Sequence, residues 1–241
     1  MNFLKFGDSQ NMIVFLHGWG ADKNSFLWLK DYFVFDWSMI FVDFDGFGDS
    51  LEPDKEMFVR DYVVNLKKII DEFNPKKLVL VGHSFGGRVA IKYSFLYQNL
   101  YGNLSLVLVD SAGILPRRSI MYHIRVRRFK RLKKKALKNT KYAKKLDCFG
   151  SSDYKVLSPV MKRTFVNIVN EDLSNDAKFV KAKTLIVWGD KDKETKTYMA
   201  RKFERLIEGS KLYFLRGAGH FSFLEKKEDF VIILDTFLKN I

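Results

Sequence analysis

Apolar side chains along this chain follow two rhythms. Short runs rich in β-branched and aromatic residues recur at Met12–Leu16, Met39–Val42, Leu78–Val81, Ser105–Val109, Thr184–Trp188 and Lys211–Leu215, each soon closed by Gly or Asp. Runs this short and this continuously apolar predict strands buried on both faces. Between them, Phe58–Phe73, Arg88–Tyr97, Tyr198–Ile207 and Asp229–Leu238 carry apolar residues at helical spacing; the first has Phe58, Tyr62, Leu66, Ile69, Ile70 and Phe73. Strands alternating with helices imply an α/β fold with a mostly parallel sheet flanked by helices. The rhythm breaks between Gly113 and Lys181, where helical signals occur without strand signals. Residues 1–112 and 182–241 are therefore expected to form the core. Residues 113–181 are expected to form an inserted helical cap over the sheet's carboxyl edge, where open α/β sheets bind ligands.

Composition changes this picture at one place. The chain has 241 residues, 47% of them hydrophobic, with 23 Phe and 10 Tyr, which supplies a sizeable core and excludes a disordered chain. Its net charge of +14 is carried by the segment 116–146, where fourteen Lys and Arg occur with no Asp or Glu, leaving 28 basic against 28 acidic residues elsewhere. Within it Tyr122, Val126, Phe129, Leu132 and Ala136 recur at helical spacing. This predicts a helix with a narrow apolar stripe and a broad cationic face. Arg127, Arg128, Lys130, Arg131, Lys133, Lys134 and Lys135 form its candidate anionic-partner surface. The readings open to it are a solvated face, an acidic protein partner or an anionic membrane surface. Nucleic acid ranks last, because no recognised binding motif accompanies the charge. The lone Cys148 has no internal disulfide partner and no His/Cys cluster for zinc, which fits a reducing, cytoplasmic setting. No signal peptide and no transmembrane span are read from the sequence.

Chemistry concentrates where strands end. Leu78–Val81 runs into Gly82-His83-Ser84-Phe85-Gly86-Gly87 and then a helix, which is G-x-S-x-G in the strand, turn and helix setting that gives it meaning. A Cβ at 82 or 86 would collide with the neighbouring strand or helix, and the serine hydroxyl is pushed above the sheet. A serine near neutral pH needs a base, and the base needs a group to fix its tautomer. Of four histidines, His17 and His83 lie in glycine turns and His123 in the basic segment. His220, in Gly217-Ala218-Gly219-His220 after the last strand, can return over the sheet toward Ser84. The acid is expected after Thr184–Trp188, in Gly189-Asp190-Lys191-Asp192: Asp192 is chosen, and Asp190 is read as a turn former or a surface charge. Asp110, at the end of Ser105–Val109, is the alternative acid. The oxyanion donors are expected to be the backbone N–H groups of Phe85 and of Trp19, in His17-Gly18-Trp19-Gly20, with the Trp19 ring as a pocket wall.

These motifs, in this order and with Asp43-Phe44-Asp45-Gly46-Phe47-Gly48-Asp49-Ser50 after the second strand, resemble the α/β-hydrolase family from about residue 12 to 239. The resemblance implies acyl transfer to serine followed by hydrolysis, with no metal or organic cofactor. It weighs against a haloalkane dehalogenase, whose elbow carries Asp where this chain has Ser84. Three branches are similar: carboxylesterases, carbon–carbon hydrolases of ring-cleavage products, and esterases of methyl esters on acyl carrier protein. The second branch has Asn before the serine and Trp after the histidine, against His83 and Phe221 here. The third shares the His-Gly-Trp-Gly loop and docks an acidic carrier on basic cap residues. A non-catalytic binding protein working through the basic segment is the rival of another class.

Overall fold

The computed structural model describes residues 1–33, 36–100, 102–117, 120–136 and 152–241, without the side chains at 120, 122, 123, 133, 152 and 153. Cys148, residues 137–146 of the basic segment and the side chains of Tyr122, His123 and Lys133 thus lie outside the described residues. All six predicted strands form: β2 (Asn11–Leu16), β3 (Ser38–Asp43), β4 (Lys77–His83), β5 (Leu104–Val109), β6 (Lys183–Gly189) and β7 (Lys211–Leu215). A seventh, β1 (Asn2–Phe6), was not anticipated. It lies antiparallel on β3 at the sheet edge, with side chains exposed or half-buried, so its sequence lacks the continuous apolar run of the interior strands. The order is β1-β3-β2-β4-β5-β6-β7, and every pair but the first is parallel.

The helices are α1 (Asn24–Leu27), α2 (Val59–Phe73), α3 (Phe85–Tyr97), α4 (Ile120–Ala136), α5 (Ser152–Val156), α6 (Pro159–Asn170), α7 (Ser174–Lys178), α8 (Thr197–Leu206), α9 (Ser222–Glu225) and α10 (Lys227–Leu238). Strand residues alternate between two cores. Met12, Val14, Leu16, Leu78, Leu80, Leu106 and Leu108 pack with α2, α3 and α8. Ile13, Phe15, Val79, Val81, Val107 and Val109 pack with Phe26 of α1, Phe223 of α9 and Phe230 and Leu234 of α10. Helix α3 begins at Phe85, three residues before the spacing predicted, because it starts directly on the turn after β4.

From β2 the chain passes to β3 on one side and reaches β4 on the other. The loops after β2 and β4 therefore diverge, opening a crevice at the carboxyl edge. Between β5 and β6 the described residues form helices and loops, with no strand among them. Helix α6 is tied to the core: the Met57 N–H donates to Thr164 Oγ1 at 3.0 Å, and the buried Arg88 guanidinium donates to the carbonyl of Glu171, just past the helix, at 2.7 Å. On α4, Val126, Phe129, Leu132 and Ala136 are half-buried, while Arg127, Arg128, Lys130, Arg131, Lys134 and Lys135 are exposed. No described helix is long and apolar enough to cross a membrane.

The close approach of α3 to the end of β2 rests on Gly86, where an added Cβ would lie 2.0 Å from the Leu16 carbonyl oxygen. Backbone cannot yield as a flexible side chain does. Gly86→Ala should therefore lower unfolding free energy in urea by about 1–3 kcal/mol or more. Gly102→Ala, where a Cβ meets nothing within 4 Å, should stay within about 0.5 kcal/mol of the parent. Equal denaturation midpoints for the two variants would contradict this packing.

Candidate active site

Three strand ends meet at Ser84. Strand β4 ends at His83, and Ser84 takes φ 48° and ψ −107° before α3 begins. An L residue rarely adopts this backbone, and surrounding structure must hold it. Here the Ser84 N–H donates to the Val109 carbonyl at 3.0 Å, and the Ser84 carbonyl accepts from the Gly87 and Ala112 N–H groups at 3.1 and 3.0 Å. The turn is thereby fastened to the end of β5. As expected from the motif, Cβ atoms at Gly82 and Gly86 would strike backbone, at 2.5 and 2.0 Å.

The Ser84 hydroxyl lies 3.0 Å from His220 Nε2, and His220 Nδ1 lies 2.8 Å from Asp192 Oδ2. Nδ1–H donates to the carboxylate, which leaves the Nε2 lone pair facing the hydroxyl. Asp192 is itself saturated: its Oδ1 accepts the N–H groups of Glu194 and Thr195 at 2.8 and 3.0 Å, and Thr195 Oγ1 donates to Oδ2 at 2.6 Å. Burial disfavours the Asp192 carboxylate, but the His220 and Thr195 hydrogen bonds outweigh it and hold its pKa below the ordinary value. Burial likewise disfavours the His220 imidazolium, but the hydrogen bond and charge of Asp192, with Glu194 and Asp110 behind them, raise its pKa above the ordinary value. Thr195 was not singled out in the sequence. Its signal is an aspartate followed at two and three residues by the amides it binds, a local turn pattern.

The loop carrying His220 is fastened along its length. Gly217 N–H donates to Asp190 Oδ1 at 2.7 Å, so Asp190 ties its own loop to the one carrying His220. Lys191 N–H donates to the Ala218 carbonyl at 2.9 Å, and Gly219 N–H to Glu225 Oε2 at 2.9 Å. The alternative acid, Asp110, is not placed on His220. Its carboxylate accepts the Gly189 N–H at 2.7 Å and the Ser222 N–H and hydroxyl at 3.1 and 2.6 Å. Burial pushes its pKa up to about 7 against the pull of these bonds. Two further histidines are buried. His17 accepts the Phe44 N–H on Nε2 at 3.1 Å, and its Nδ1 lies 2.7 Å from the Gly18 carbonyl, with burial lowering its pKa to about 4. His83 Nε2 lies 2.7 Å from the His220 carbonyl oxygen.

Phe85 opens α3, and the first N–H groups of a helix have no acceptor within it. The Trp19 N–H makes no hydrogen bond among the described residues. Both expected donors are thus free to take an acceptor. The half-buried Trp19 ring stands edge-on to Phe47, Phe85 and Phe165, with centroids 4.8, 5.6 and 5.2 Å away, and Tyr154 extends this wall from Phe165 at 5.9 Å. Among the described residues no group of three His, Cys, Asp or Glu could hold a metal ion.

A sequence model described as "Alpha/beta hydrolase family" matches residues 13–232. A serine hydrolase-like protein of Danio rerio is 33% identical over 106 residues, which is 43% of this chain and only 32% of that protein's length. The pimeloyl-[acyl-carrier protein] methyl ester esterase of Wigglesworthia glossinidia brevipalpis is 28% identical, covering 77% of this chain and 76% of its own. The 2-hydroxy-6-oxo-6-(2'-aminophenyl)hexa-2,4-dienoic acid hydrolase of Metapseudomonas resinovorans is also 28% identical, over 98% of this chain and 86% of its own. Among solved structures, the esterase EaEST from Exiguobacterium antarcticum superposes with a TM-score of 0.74 at 24% identity, covering 98% of this chain and 94% of that one. The fold is that of the α/β hydrolases.

The unequal placement of the two carboxylates can be read directly from His220. Asp192→Asn should lower the His220 pKa, since the ring stays buried while its countercharge is lost. Asp110→Asn should move it much less, because that carboxylate acts on the ring only across space. An NMR titration of the imidazole Cε1 proton measures both, and the opposite ranking would contradict this geometry.

Proposed function

The chain belongs to the alpha/beta hydrolase family, and we propose that it is a serine hydrolase cleaving a carboxylic ester or thioester through an acyl-enzyme on Ser84. The observation that carries this reading is the line of hydrogen bonds from the Ser84 hydroxyl through His220 to Asp192. As Oγ attacks the carbonyl carbon, His220 Nε2 takes its proton, and Asp192 holds the tautomer and offsets the imidazolium charge. The tetrahedral oxyanion accepts from the Trp19 and Phe85 amides. Collapse breaks the bond to the alcohol or thiol, which leaves with the proton from His220. Water activated by the same base then releases the acid.

The ester reading is preferred to carbon–carbon cleavage because His83 and Phe221 stand where that branch carries Asn and Trp. It is preferred to a non-catalytic binding role because a pure binder has no need of three aligned groups. Ser84→Ala should reduce turnover of p-nitrophenyl butyrate by at least about 10⁴-fold and abolish labelling by a fluorophosphonate, and adding His220→Ala should cost little more. Asp192→Asn should cost about 10³–10⁴-fold in kcat, with the acidic limb of kcat/KM moved to lower pH. Substantial esterase activity in Ser84→Ala would sink the mechanism.

We assign the segment 113–181 as a cap, and the cationic face of α4 to an anionic membrane surface. On α4, Met121, Ile124, Arg128, Arg131 and Lys135 fall on one helical face, and Met121 and Ile124 are 72% and 45% exposed. Apolar side chains set among cations favour a lipid interface over an acidic carrier protein. Replacing Arg127, Arg128, Lys130, Arg131, Lys133, Lys134 and Lys135 by Gln should leave kcat for p-nitrophenyl butyrate unchanged. It should abolish salt-sensitive binding to phosphatidylserine-containing vesicles. Binding of the parent to an acyl carrier protein but not to vesicles at low salt would transfer the assignment to the carrier. Binding to neither would leave a solvated face.

A further inference from the structure

His83 is the variable position of G-x-S-x-G and is buried. A carbonyl oxygen only accepts, so at 2.7 Å from the His220 oxygen the His83 Nε2 must carry the hydrogen. That fixes the tautomer and leaves Nδ1 as a buried lone pair with no partner among the described residues. An orphaned buried acceptor costs stability, and an apolar side chain would fill this space without it. The polar contact that offsets the cost is the one to His220. The ring stands beside His220, Phe221 and Phe223, with centroids 4.9, 5.1 and 5.0 Å away, and beside Gly18 of the oxyanion loop, where a Cβ would lie 2.8 Å from Nδ1.

We propose that His83 is a positioning residue that holds the His220 main chain through its Nε2–H, so that the imidazole stays between Asp192 and Ser84. Asp192 grips the ring and His83 grips the backbone from the strand that delivers the nucleophile. Neither hold alone fixes both the position and the tilt of the imidazole. His83 remains neutral in this role: burial, then the nearby His220 charge, pushes its pKa down to about 3. The groups that face His220 are Asp192 and Glu194 after β6, Asp110 after β5 and His83 itself; His17 lies behind His83. Of these, Asp192 sets the imidazole's proton affinity, and it does so only while the ring stays within its reach.

This inference rests on the serine-hydrolase reading and is tested by two variants of matched length and volume. His83→Gln keeps an N–H near the former Nε2, whereas His83→Met offers none. With p-nitrophenyl butyrate, His83→Gln should keep kcat within about threefold of the parent and an unchanged acidic limb in kcat/KM. His83→Met should lose about 10- to 100-fold in kcat with KM little altered, its acidic limb should shift to lower pH, and fluorophosphonate labelling should slow in parallel. Melting temperatures of the two should be similar. Equal kcat and equal limbs in the two variants would overturn the proposal. So would a shifted limb in a folded Gln variant, which decides the matter alone if the Met variant does not fold. If Ser84→Ala stays active, the hydrolase reading has failed; if Ser84→Ala is dead and Gln equals Met, only the role of His83 has failed.

Discussion

The backbone of Ser84 is the constraint from which the rest of the site follows. At φ 48° it occupies a region that side-chain-bearing residues avoid, and such a conformation persists only when its surroundings over-determine it. They do so through main chain alone. The Ser84 N–H and carbonyl are bound to Val109, Gly87 and Ala112, and Gly86 brings α3 against the Leu16 carbonyl. Because β2, β4 and β5 are adjacent and parallel, locking this turn also sets the loop after β2, with Trp19, and the loop after β5, with Asp110. The hydroxyl is left to face His220 because none of its own bonds are needed to hold the turn.

Once the serine is fixed, the histidine must be brought to it from a distant part of the chain, and four carboxylates divide the labour. Asp190, Glu225 and Asp110 bind backbone amides of the His220 loop or its edge, while Asp192 accepts from the ring at Nδ1. Environment separates Asp192 from Asp110. Asp192 faces an imidazole that can carry charge, which favours its ionised form. Burial of Asp110, with the Asp192 charge nearby, raises its pKa to about 7 against the pull of the neutral donors around it. The one suits charge stabilisation and the other structural anchoring.

Much of this was legible in the sequence because it is local. Strands buried on both faces announce themselves as apolar runs, and Gly82 to Gly86 records a steric demand within five residues. The features that escaped are those set by partners far along the chain. Strand β1 has one pairing neighbour and no fully buried side chain, so its pattern stays mixed. Asp110 and Asp192 both end or follow a strand with suitable chemistry, and only the path of the loop at 217–222 distinguishes them. His83 reads as a filler in a motif until its imidazole is seen against a carbonyl 137 residues away. Thr195 is the exception, since its bonds to Asp192 are local and follow a recognisable turn pattern.

The same reasoning explains why the proposed reaction type is easier to read than substrate. The proposed acyl transfer would need a nucleophile, a base, an acid and two amides, and every candidate for these parts sits at or beyond a strand end at the carboxyl edge. The wall around them is assembled differently. Trp19 and Phe47 come from loops of the core, while Phe165 and Tyr154 come from helices between β5 and β6. Their meeting depends on how α6 is seated, through contacts such as Met57 with Thr164 and Arg88 with Glu171. Those contacts can change without disturbing the turn at Ser84, because none of them holds its backbone. Specificity can therefore diverge while the chemistry stays put, and the residues that would reveal the acyl group carry no fixed spacing in the sequence.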